Sequence, residues 1–171
     1  MKRHVVLIGL PGSGKTTVGR LAAERLGAPF VDVDALIVRK MQMPVARIFA
    51  EFGEARFRQV ERETVAAALA GPPSVIAPGG GWAAQPGLLE ETRPSSFIIY
   101  LRTMAMTAAM RARAADDRPL LMGPDPAEQM RTLLREREPF YARADAEVPN
   151  DGKLERAVAQ VVALARERAG W

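Results

Sequence analysis

The 171-residue chain has no cysteine, one histidine and one asparagine. Without cysteine there is neither a disulfide framework nor a thiolate metal site, and a reducing cytoplasm fits that composition. His4, the lone histidine, sits within the first apolar run and reads as structural. Asn150, the lone asparagine, stands in "PNDGK" and does not supply the N-K-x-D motif with which a GTPase reads its base. No apolar run approaches the ~20 residues of a membrane-spanning helix. The opening "MKRHVVLIGL" places basic residues before an apolar run, as a signal peptide does, yet it passes directly into "PGSGK" and reads instead as a strand. Lysine is also scarce: only Lys2, Lys15, Lys40 and Lys153 among 24 basic residues, the rest being arginine. Arginine's planar fork suits phosphates and carboxylates. The aromatic content is 6 % and the net charge +4, with no separate basic arm, so no nucleic-acid partner is expected.

What remains is ordinary for a soluble globular protein, 48 % hydrophobic and 26 % charged. Strand-length apolar runs alternate with helix-period segments, the pattern of an α/β parallel sheet with crossover helices. Strands are expected at His4–Gly9, Phe30–Val33, Ser74–Ala77, Ser96–Leu101 and Ala146–Val148. Helices are expected at Lys15–Leu26, near Met104–Ala115, up to about Arg143, and over "KLERAVAQVVALARER". A helical excursion, 35–70, is interrupted at Pro44 and Gly53, and Met104, Met106 and Met110 read as core filler. The chain is taken as one domain, 1–171.

"GLPGSGKT" (Gly9–Thr16) matches the phosphate-loop pattern G-x-x-x-x-G-K-[ST], and it follows a buried strand and opens a helix. Its glycines let backbone N–H groups, including those of Gly12, Ser13 and Gly14, face a phosphate at the positive end of the next helix. Lys15 can reach the β- and γ-phosphates, and the Thr16 hydroxyl can ligate Mg²⁺, with Thr17 beside it. A typical phosphate-loop ATPase ends a later strand in an acid. Here the third strand ends "SVIAPGGG", and the acids stand in "VDVD". At strand spacing Asp32 and Asp34 point the same way, at the carboxyl end of the sheet where ligands bind. One could support a metal and the other hold or deprotonate an acceptor hydroxyl. The alternative is a helix N-cap at Asp34 with Asp32 solvated.

Arg58 lies four residues after Glu54 and three before Glu61, so the three share a helix face. That is either a salt-bridged surface or part of a site. Arg118 in "DDRPLL" and Arg137 in "REPFY" add two arginines beside prolines.

In this order, "GLPGSGKT", "DVD", "IFAEFGEARFRQVE", the triple glycine, "RPLL" and "REPFY" resemble the shikimate kinase family from the first strand to about Tyr141. The resemblance implies a three-layer α/β fold: a five-stranded parallel sheet flanked by helices, with an acceptor-binding excursion (about 35–70) and a lid (about 112–125). It implies ATP-dependent phosphorylation of the 3-hydroxyl of shikimate, with Mg²⁺, in the pathway to aromatic amino acids, by a monomeric cytoplasmic enzyme without membrane or nucleic-acid partners. Lys15, Asp34 and Arg118 would carry catalysis. Asp32 would support Mg²⁺ through water, and Arg111 would lie against the adenine. Asp34 would bind the shikimate hydroxyls and act as base. Arg58 and Arg137 would hold the carboxylate, Glu61 would orient Arg58, and Gly79, Gly80 and Gly81 would face the acceptor. The family usually carries threonine or serine where this chain has Pro78, and a smaller residue than Trp82 after the glycines. Those two departures leave open a related kinase for another hydroxylated carboxylate, such as gluconate, or a non-catalytic ATP- and shikimate-binding module.

Overall fold

The structure, a computed structural model, describes residues 1–115 and 123–171. Five strands, β1 (His4–Ile8), β2 (Phe30–Asp32), β3 (Val75–Ala77), β4 (Ser96–Arg102) and β5 (Ala146–Pro149), form one sheet in the order β2-β3-β1-β4-β5. Every described pairing is parallel. The helices are α1 (Lys15–Leu26), α2 (Val33–Met41), α3 (Val45–Leu69), α4 (Leu88–Thr92), α5 (Ala105–Ala115), α6 (Pro126–Tyr141) and α7 (Leu154–Arg168).

The apolar run of β1 has a structural cause. Successive side chains leave a strand on opposite faces, and both faces here are covered. Val6 and Ile8 join Ile76, Ile98 and Tyr100 in one buried cluster with residues of α3, α5 and α6. Val5 and Leu7 join Val75, Phe97 and Ile99 in a second, under α1 and α7. These two clusters make the three layers. Because β1 sits between β3 and β4, the connections leaving it diverge, and a crevice opens at the carboxyl ends of the strands.

The excursion between β2 and β3 consists of α2 and α3. Pro44 is the N-cap of α3, and Gly53 breaks its helical geometry with φ 80° and ψ 166°. The methionines differ from expectation. Met104, Met106 and Met110 are all more than half exposed, and Ala105, Ala108, Ala109 and Ala112 make the buried face of α5. Small residues are needed there because the Ala108 carbonyl lies against Gly12 of the phosphate loop.

Candidate active site

Residues 9–14 cross from the end of β1 into α1, and Gly12 (φ 78°) and Gly14 (φ 93°) occupy left-handed backbone that other residues rarely adopt. Lys15, 7 % exposed, folds its ammonium back onto the carbonyls of Gly9 (2.8 Å) and Leu10 (2.9 Å). Beyond it a cavity of about 290 Å³ opens between the loop, Thr16, Thr17, Asp32, Asp34, Pro78, Gly79 and Arg111. Ser13, within the loop, is fully buried.

The two acids sit differently from the strand reading. β2 ends at Asp32, which is the N-cap of α2, its Oδ1 accepting the Ala35 N–H at 3.1 Å. Asp34 therefore belongs to the first helical turn, not to the strand. A carboxylate that satisfies an orphan N–H ends the strand one residue earlier than the apolar pattern suggests. The other Asp32 oxygen accepts from the Thr16 hydroxyl at 3.2 Å. This pair of hard oxygen donors beside the lysine fits Mg²⁺, which takes few protein ligands and keeps phosphate and water in its shell. Among the described residues no cluster of three or more His, Cys, Asp or Glu side chains could hold a metal alone.

Across the cavity the glycines form a bare wall, and the reason is space. A side chain on Gly79 would strike Glu61 and crowd Asp34, and one on Gly81 would strike the Arg58 guanidinium. At Gly80 it would meet Pro11 at 2.8 Å and Nη1 of Arg137 at 3.1 Å. Each glycine thus makes room for a different site residue. Tyr141 holds the wall from behind, its hydroxyl donating to the Gly80 carbonyl at 2.5 Å. Burial pushes the Tyr141 hydroxyl pKa up to about 12, further from neutral pH than an ordinary phenol.

Arg58 is held by Glu61 (2.9 Å) and Glu54 (3.4 Å), and its guanidinium lies 5.4 Å from the ring centre of Phe57. Glu61 is fully buried. Desolvation raises its pKa, and the Asp34 charge adds to that, with Arg58 and the Gly79 N–H opposing. Arg137 is buried in α6, and its Nη1 has no hydrogen-bond partner among the described residues. A guanidinium N–H in that position has a donor to offer to an anion.

The structure thus brings together Lys15, Thr16, Asp32, Asp34, Arg58, Glu61, Gly79, Gly80, Gly81, Arg111 and Arg137. Arg118 and much of the expected lid, 116–122, lie outside the described residues. The sequence motifs assign no role in the site to Asn150, Tyr141 or Pro11 individually. Asn150 donates to the Ser13 carbonyl at 2.7 Å, and its own carbonyl accepts from Arg111 at 2.8 Å. Trp82 turns inward, 1 % exposed, into the cluster shared by α3, α5 and α6.

A parallel α/β sheet whose first strand delivers a glycine loop, a lysine and a threonine to a cavity walled by acids and arginines defines a phosphate-loop kinase. The shikimate kinase family model matches residues 11–165, and the chain belongs to that family. It is 46 % identical to a shikimate kinase of Symbiobacterium thermophilum, over 96 % of this chain and 97 % of that one. The solved shikimate kinase of Acinetobacter baumannii in complex with shikimate superposes with a TM-score of 0.91 at 32 % identity, covering 98 % of this chain and 94 % of that one. A gluconokinase structure from Sinorhizobium meliloti, with a TM-score of 0.68 at 19 % identity, covering 99 % of this chain and 94 % of that one, shares the fold.

Proposed function

We propose that the chain transfers the γ-phosphoryl group of ATP to the 3-hydroxyl of shikimate, giving shikimate 3-phosphate in the route to aromatic amino acids. The observation that carries this reading is the convergence of Arg58 and Arg137 on the Gly80–Gly81 wall beside the phosphate-loop cavity. Two guanidinium groups fix a carboxylate in bidentate fashion and turn the ring's hydroxyls toward the phosphates.

In this reading the loop N–H groups and Lys15 hold the β- and γ-phosphates, and Lys15 exchanges its carbonyl contacts for phosphate oxygens. Thr16 and, through water, Asp32 would hold Mg²⁺, which would neutralise charge on the phosphate oxygens. Asp34, in the first turn of α2, takes the proton of the attacking hydroxyl. Arg118 would close over the transferred group and Arg111 would lie against the adenine. Excluding water during closure protects ATP from hydrolysis. The chain acts as a monomer on small molecules in the cytoplasm, without nucleic-acid or membrane partners. No described helix is long and apolar enough to cross a membrane.

The test is ADP release by purified protein with ATP and Mg²⁺ over a panel of hydroxylated acids that includes shikimate and gluconate. Turnover with shikimate well above every other acid is expected. Turnover on another acid alone would transfer the arginine clamp to that substrate, and ATP binding without turnover would leave a binding module.

A further inference from the structure

Asn150 follows β5 almost fully buried, and each of its polar groups but one side-chain atom is engaged across the nucleotide end of the molecule. Its N–H donates to the Arg102 carbonyl at the end of β4 (2.8 Å). Its side-chain Nδ2 donates to the Ser13 carbonyl (2.7 Å), and its backbone carbonyl accepts from Nη1 of Arg111 (2.8 Å). A side chain on Gly14 would begin 2.5 Å from the same Nδ2, so the loop backbone is pressed against this amide.

We propose that Asn150 is a positioning residue for the nucleotide, setting the Ser13–Gly14 peptide with its side chain and Arg111 with its main chain. The peptide is trans and planar, so its C=O and N–H point in opposite directions. An amide that captures the Ser13 carbonyl turns the Gly14 N–H away from Asn150, and Gly14 lines the cavity. That N–H is one of the donors a phosphate needs, fixed before the ligand arrives. The Arg111 anchor fixes a second cavity residue from the same position. One buried residue thus sets the spacing between the phosphate end and a cation on α5. The inference rests on the kinase reading only in taking the cavity as nucleotide-binding.

Asn150→Leu keeps nearly the same volume and the main-chain carbonyl, and it removes the donor. The ATP dissociation constant, read by titration calorimetry without any acceptor, should rise about tenfold or more. The KM for ATP should follow, and the KM for shikimate should stay within about twofold of wild type. Val148→Ala, a buried truncation on the same strand, serves as the control for lost stability and should move neither constant. Unchanged ATP affinity in Asn150→Leu, or equal rises in both KM values, overturns the proposal. Should the leucine variant fail to fold, Asn150→Asp, which replaces the donor by an acceptor, carries the same two readings. The calorimetric arm is independent of acceptor identity, so failure of shikimate as substrate would be seen separately.

Discussion

Nη2 of Arg58 occupies the space where a side chain on Gly81 would begin. The glycine is bare because the guanidinium lies on it, held from its other side by Glu61.

A methyl group at that position therefore displaces the end of a flexible side chain and leaves the backbone in place. Gly81→Ala should fold normally, shift Arg58, and raise the KM for shikimate with little change in the KM for ATP. Arg58→Ala should do the same more strongly, because a charge-assisted contact worth about 1.5–3 kcal/mol is lost. Steady-state kinetics varied in each substrate, with a melting curve for each variant, check both. Equal effects on both substrates would detach Arg58 from the acceptor. Gly12→Ala offers the contrast: it combines φ 78° with a collision against the Ala108 backbone, and its expected result is loss of stability.

Tyr141→Phe removes the donor to the Gly80 carbonyl and leaves that buried acceptor unpaired. A cost of about 1–3 kcal/mol is expected in denaturant unfolding, together with a raised KM for shikimate. Stability lost without any change in the acceptor KM would make Tyr141 a purely structural support.

Stability should decline as pH falls below the ordinary histidine range. His4 is buried, its Nδ1 accepts the Ser74 N–H at 3.2 Å, and desolvation lowers its pKa from 6.5. The unfolded chain then binds the proton more tightly than the folded one. The folded state keeps its full advantage above about pH 6.5 and loses it progressively as pH drops through the lowered value. Melting temperatures across that range should show the slope in the wild type and a flatter one in His4→Gln. Identical slopes would assign the effect to other groups.

Pro78 lines the cavity close to Asp32 and Thr16, and it has neither hydroxyl nor N–H to offer a metal-bound water. Pro78→Thr should lower the Mg²⁺ concentration needed for half-maximal turnover. An unchanged Mg²⁺ dependence would show that this wall takes no part in metal handling.

Trp82 contributes to the fold more than to the pocket. Trp82→Ala should cost about 3–5 kcal/mol, measured by denaturant unfolding, because it empties the largest fully buried side-chain volume. A cost below about 1 kcal/mol would mean that the site collapses around the missing ring.

The phosphate loop was legible in the sequence because its requirements are local: left-handed glycines, a lysine and a threonine within one turn. The central strands β1, β3 and β4 were legible because two-sided burial writes itself as apolar runs, whereas the edge strands β2 and β5 are only partly buried. "VDVDAL" was harder. A strand end and a helix N-cap share the residue type aspartate, and only the Ala35 N–H bonded to Asp32 decides between them. The methionines misled because their side chains are more apolar than alanine's, and the close approach of α5 to Gly12 selects for smallness instead. Asn150 was illegible for another reason: its partner carbonyl is 137 residues away, and no local pattern announces a bond of that span.

Pro11 of the nucleotide loop lies directly against Gly80, whose carbonyl is tied to Tyr141 and whose open face meets Arg137. The phosphate loop and the glycine wall thus touch directly at this point. A shift of Pro11 on phosphate binding would therefore move the wall proposed to carry the acid. Such a movement would couple the two binding free energies, and whatever factor ATP exerted on acceptor affinity, the acceptor would exert on ATP.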